Sequence, residues 1–167
     1  VTTSSKLTTS AVFITFGVIL PVAFHYVGAM GPVFLPMHIP ILIAGLFLGA
    51  RAGFLTGLIT PGLSSLLTGM PPLMPTLPIM TVELSIYGLI GGFLYRQKGL
   101  PLLLALVGAM ITGRLAAAVI VYILAMTVHI KLQPLAYLSG AVLTGLPGIA
   151  IQLVLIPLIV NRLKSVN

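Results

Sequence analysis

Residues 69–92 read GMPPLMPTLPIMTVELSIYGLIGG, and Glu83 within them is the only acidic residue in a chain of 167. A lone carboxylate inside a long apolar stretch decides the fold class, because the rest of the sequence repeats the same composition. The chain is 59% hydrophobic and 5% charged, with a mean hydropathy of +1.24. Ordinary soluble domains are about 25% charged. So few ions cannot cover a surface facing water, but a bilayer supplies the apolar solvent this composition needs. The apolar runs are too long for the period-2 alternation of barrel strands, which predicts an all-α integral membrane protein.

Working outward from Glu83, glycine, proline and basic residues punctuate the runs into six helices within one membrane domain over residues 1–167: about 7–27, 36–50, 53–68, 75–95, 100–128 and 134–160. A single helix over 36–68 would be about 50 Å long, against a hydrocarbon core of about 30 Å. The break is therefore expected at GARAG, where Arg51 needs water and glycine permits a turn. The first run, after Lys6, is longer than a signal-peptide core and lacks a clear cleavage site, so it is read as a helix. With six spans, Lys6, Arg51, Arg96, Lys98, Arg162 and Lys164 fall on one side, and only Lys131 on the other. The positive-inside rule puts that basic side, with both termini, in the cytoplasm. His25, His38 and His129 then lie toward the outside.

Arg114 is the one basic residue away from a predicted end. It lies about 21 Å in from the cytoplasmic start of its helix, and Glu83 about 12 Å in from the outer start of its own. In a core of about 30 Å these depths nearly coincide. Each ion alone costs several kcal/mol in lipid, whereas a pair, or two ions facing a wet cavity, is tolerated. At 100° per residue, Thr76, Met80, Glu83 and Tyr87 share one face, and Arg114, Ala118, Tyr122, Ala125 and His129 another. Two such stripes predict a pocket open to the outside, closed over by Pro-rich loops. The structural alternative is an ion pair that only fixes packing. Gln152, near mid-membrane in the last helix, either lines the same cavity or bonds between helices.

Other signals are weaker. Three histidines far apart in sequence make a poor metal site, and no metal is expected. Gly45, Gly49, Gly53 and Gly57 recur every four residues, a spacing that lets helices approach, with the middle two assigned to the turn. The outer-loop methionines Met30, Met37, Met70 and Met74 are read as packing residues that could also form an adaptable lid. No P-loop, HExxH or GxSxG is present, and one carboxylate cannot supply an acid–base pair. Ser64 and Ser65 have no base placed for them. An enzyme is not expected, and binding or transport remains. The absence of cysteine removes disulfides and thiolate chemistry. The scattered basic residues do not make a nucleic-acid patch.

The six-span plan, KLTTSAVFIT at residues 6–15, and above all residues 35–95, from LPMHIPILIAGLFLGARAG to LSIYGLIGGFLY, resemble the substrate-binding S-components of energy-coupling factor (ECF) vitamin transporters. The resemblance implies a subunit of the bacterial plasma membrane that captures a water-soluble vitamin from outside. It then docks on a transmembrane coupling subunit carrying two ATPases. ATP is used by those partners, and no cofactor is implied for this chain. The family's A-x-x-x-A docking motif on the first helix falls on Ala11 and Thr15, the second a departure that is still small. MHIP and TGMPPLMPT look most like pantothenate-type members. For that acid, Arg114 would meet the carboxylate and Glu83 would orient Arg114 or accept from a hydroxyl. A pyridoxine or thiamine-precursor ligand would instead recruit Glu83 directly, with Tyr87 and Tyr122 stacking. His38, His129, Thr76 and Gln152 complete the expected substrate contacts. The rival class is a free-standing, proton-coupled secondary transporter in which Glu83 carries the proton.

Overall fold

The computed structural model describes residues 3–26, 31–128 and 133–166, and every element in them is helical. In chain order these are α1 (Thr3–Tyr26), the single turn α2 (Gly31–Phe34), α3 (His38–Leu48), α4 (Ala50–Thr68), α5 (Thr76–Gly92), α6 (Leu102–Thr127) and α7 (Pro134–Val166). A π-helical turn, Phe93–Gln97, continues α5. His129 and Lys131, expected on the outer side, lie outside the described residues, as do Val27, Met30 and the His25 side chain.

Five stretches are long and apolar enough to cross a membrane: Ser4–Phe24, Gly31–Leu48, Thr76–Gln97, Leu102–Thr127 and Pro134–Leu163. α4 is not among them, because Arg51, its glycines and its Thr and Ser residues dilute its apolar character. Its hydroxyls are nonetheless satisfied locally. Thr56 donates to Ala52 O at 2.8 Å and Thr60 to Thr56 O at 2.6 Å. Such back-bonding lets a threonine sit in an apolar interior without an orphaned donor.

The α3–α4 break differs from the sequence expectation. Only Gly49, at φ 107°, leaves the helical region, and α4 begins at Ala50 rather than at residue 53. Arg51 therefore falls in the first turn of α4, where it is exposed. Gly53 is also reassigned. It is not part of the turn but of a junction where three helices meet backbone to backbone. A Cβ on Gly45 of α3, or on Gly53 of α4, would collide with the Gly88 carbonyl of α5, and one on Gly57 with Leu84 O. Small residues allow this approach where side chains would hold the helices 8–10 Å apart.

α3 is buried nearly all round and forms the centre of the bundle. Ile41, Leu42 and Leu46 meet Leu84 and Tyr87 of α5, Leu106 and Ala109 of α6, and Ile156 and Val160 of α7. The outer surface is apolar too: Leu103, Val107, Ile111, Leu115, Val119 and Ile123 run along the exposed side of α6 at helical spacing. A helix apolar on both sides fits a bundle surrounded by lipid. α1 is peripheral. Gly17 lets it approach Thr60 of α4, while Ala11, Val12, Thr15 and Phe16 stay exposed.

At the other end of α4 the loop is tied back to the helix. Ser64 Oγ donates to Met70 O at 2.7 Å and Ser65 Oγ to Pro71 O at 2.8 Å. These two serines, which carry no nucleophilic signature in the sequence, anchor the Pro-rich loop.

Candidate functional site

The site begins with the elements that carry it. Glu83 sits midway along α5 and Arg114 midway along α6, with relative exposures of 1% and 9%. Gly113 explains how they meet. A side chain there would overlap the Tyr87 ring and press on the Glu83 carbonyl, so only glycine lets α6 lie this close to α5. The matched depths then become a contact: Arg114 Nη1 lies 2.8 Å from Glu83 Oε1.

His38 joins them from α3. It is 3% exposed, its Nε2 is 3.5 Å from the same Oε1, and its ring packs edge-on against Tyr87 at 5.3 Å between centroids. The backbone before it is unusual. Leu35 is the one non-glycine residue at positive φ, 50°, among the described residues. Its carbonyl accepts from His38 N at 3.1 Å and from Gln152 Nε2 of α7 at 3.5 Å. Left-handed backbone at a branched-chain residue is costly and persists only where surrounding contacts impose it. Here the Leu35 side chain rests against Gly145 of α7, which also sits beside Arg114 Nη2.

The cluster is short of hydrogen bonds. Among the described residues, both ring nitrogens of His38, Glu83 Oε1, Arg114 Nε and Nη2, and Gln152 Oε1 are buried without an aligned partner. Native interiors satisfy nearly all such groups, so a concentration of exceptions needs an explanation. Nε and Nη2 form one edge of the guanidinium, the planar fork that takes a carboxylate or phosphate through two parallel bonds. Nη1 alone is engaged with Glu83.

The structure thus brings together Glu83, Arg114, Tyr87 and His38, with Gln152, fully buried, approaching through Leu35. Thr76 is half-buried at the start of α5, two turns before Glu83. Tyr122 does not join them. It is 51% exposed, because eight residues of helix turn it about 80° away from Arg114. Val121 faces inward instead, packed with Ile79 and, from α7, Tyr137. The sequence reading named His38 as an outer-side substrate contact without foreseeing its burial, and missed Leu35, Gly113 and Gly145. Gly113 had a visible signal, a glycine directly preceding the one mid-helix arginine. Two surface grooves, one along α7 at Ile151 and Val154 and one between α4 and α5 at Phe54 and Ser85, are apolar and contain none of these groups.

Several apolar helices long enough to cross a membrane, packed around a closed ionic cluster, define a multi-pass membrane protein. The family model for the ECF transporter substrate-specific component matches residues 5–160, and the chain belongs to that family. It is therefore a substrate-binding subunit of an ECF transporter, whose family associates with an ECF coupling module and takes a small-molecule substrate. No curated protein and no solved structure matches the chain.

Proposed function

We propose that this subunit captures a small carboxylic acid of the vitamin class, with pantothenate the favoured ligand, from outside a bacterial plasma membrane. The carrying observation is the free Nε–Nη2 edge of Arg114, buried beside Glu83. In this reading the ligand carboxylate takes that edge. Glu83 fixes the guanidinium through Nη1, and His38, Gln152 and Tyr87 contact the amide and hydroxyls. Thr76, at the start of α5, stands toward the entrance. A ring-bearing vitamin such as pyridoxine or a thiamine precursor would leave the fork unmatched.

The topology that goes with it has six spans and both termini in the cytoplasm. α4 supplies the sixth. Its 19 residues make a rod of about 28 Å, close to the hydrocarbon thickness, and it packs along α5 through Gly57 and Leu84. α1 turns Ala11 and Thr15 outward, and the Thr15 hydroxyl is bonded to Ala11 O at 3.0 Å. That leaves a small, apolar four-residue step suited to a coupling-subunit helix, with two ATPases supplying the energy beyond it. A free-standing proton-coupled carrier would have to break the Glu83–Arg114 contact in each cycle.

Purification from vitamin-rich medium, followed by mass spectrometry of the bound small molecule, tests the reading. An acid, pantothenate foremost, is expected. A neutral or cationic vitamin at full occupancy would overturn the assignment of Arg114. Uptake by cells carrying this chain alone, driven by a pH gradient, would favour the carrier instead.

A further inference from the structure

Charge balance in the cluster carries an inference that rests on the acid-ligand reading above. Arg114 already faces one anion, Glu83, at 2.8 Å. A ligand carboxylate on the Nε–Nη2 edge would put two anions on one guanidinium, in a place where Glu83 is 1% exposed. A net buried charge of that kind is strongly disfavoured unless a further cation is supplied.

The described side chains offer one group that can become that cation. His38 lies with Nε2 at 3.5 Å from Glu83 Oε1, and neither of its ring nitrogens has an aligned partner. The titratable groups facing it are Glu83 and Tyr87 from α5 and Arg114 from α6, while Tyr137 of α7 lies within the field of Glu83 and Arg114. From α1 and α4, the described cations Lys6 and Arg51 are exposed on the surface. A proton on His38 would give two cations and two anions, and would turn Nε2 into a charged donor aimed at the carboxylate.

We infer that this subunit binds its acidic ligand together with one proton, held on the His38–Glu83 pair. The anion engages Arg114, the proton enters from solvent, and no covalent bond changes. Capture is then electroneutral. Its affinity rises as pH falls, by up to about tenfold per pH unit for one linked proton.

The test is calorimetric titration of the purified full chain with pantothenate, in buffers of different ionisation enthalpy, between pH 6 and 8. The expected result is uptake approaching one proton per ligand where the affinity is pH-dependent. His38→Gln should bind more weakly at pH 6 and lose the pH dependence. Glu83→Gln removes the competing anion, so the proton uptake seen with the wild type should disappear, a loss that a purely structural role for the pair would not produce. Tight, pH-independent binding with no proton uptake by the wild type would overturn the inference and leave the acid assignment standing. Failure of the wild type to bind pantothenate at any of these pH values would overturn both. Full proton uptake retained in Glu83→Gln would place the proton elsewhere and also overturn it.

Discussion

Replacing Arg114 by alanine separates the two things this side chain does. The first is structural. Glu83 loses its partner at 2.8 Å while remaining 1% exposed. Removing one member of a buried ion pair costs about 3–5 kcal/mol. The second is recognition. Nε and Nη2 would each give the ligand carboxylate a charge-assisted bond, worth about 1.5–3 kcal/mol apiece. Together they amount to about 3–6 kcal/mol, or roughly 10²–10⁴ in Kd. One variant cannot distinguish lost binding from lost folding, so the double change Arg114→Gln with Glu83→Gln is the necessary companion. It removes both charges at similar volume and should recover most of the stability without recovering affinity. Thermal unfolding in detergent reads the first effect and radiolabelled pantothenate binding the second. If Arg114→Ala binds the acid within threefold of wild type, or if the double variant binds it normally, the recognition argument fails.

Three other outcomes follow from the packing. Gly88→Ala drives a methyl into Gly53 of α4 and should destabilise the bundle by about 1–3 kcal/mol, whereas Gly62→Ala, which meets open space, should not destabilise it; unfolding curves compare them. Thr15→Leu enlarges the exposed step on α1, so ligand binding by the isolated subunit should be unchanged while uptake by the assembled transporter falls at least tenfold. Tyr122→Ala should leave the pantothenate Kd within threefold, since the ring is half-exposed and away from the cluster; a larger loss would mean that α6 turns in the bound state.

Much of the architecture was legible because ions are so rare in this sequence. Glu83 and Arg114 could be matched by depth alone, since no other carboxylate exists to confuse the count. Helix ends marked by Gly and Pro were also readable, and α5 and α6 start within two residues of expectation. Faces were harder. A helix apolar all round gives no contrast from which to orient it, and a four-residue step drifts by 40° each time, which carried Tyr122 off the Arg114 face. The depth of His38 in the bundle was hidden for another reason. Its burial depends on the Leu35 bend, a left-handed residue that nothing in the local sequence announces. Gly53 was misassigned because a glycine beside a turn and a glycine at a helix crossing look alike until the partner, Gly88, is in place.

Acid recognition by a buried guanidinium is tested most directly by pairing one ligand with its uncharged twin. Equilibrium binding to the purified subunit should be measured for pantothenate and for the same molecule capped as its primary amide. The free Nε–Nη2 edge predicts that the amide binds at least a hundredfold more weakly. Equal affinities would mean that the carboxylate is not what Arg114 holds.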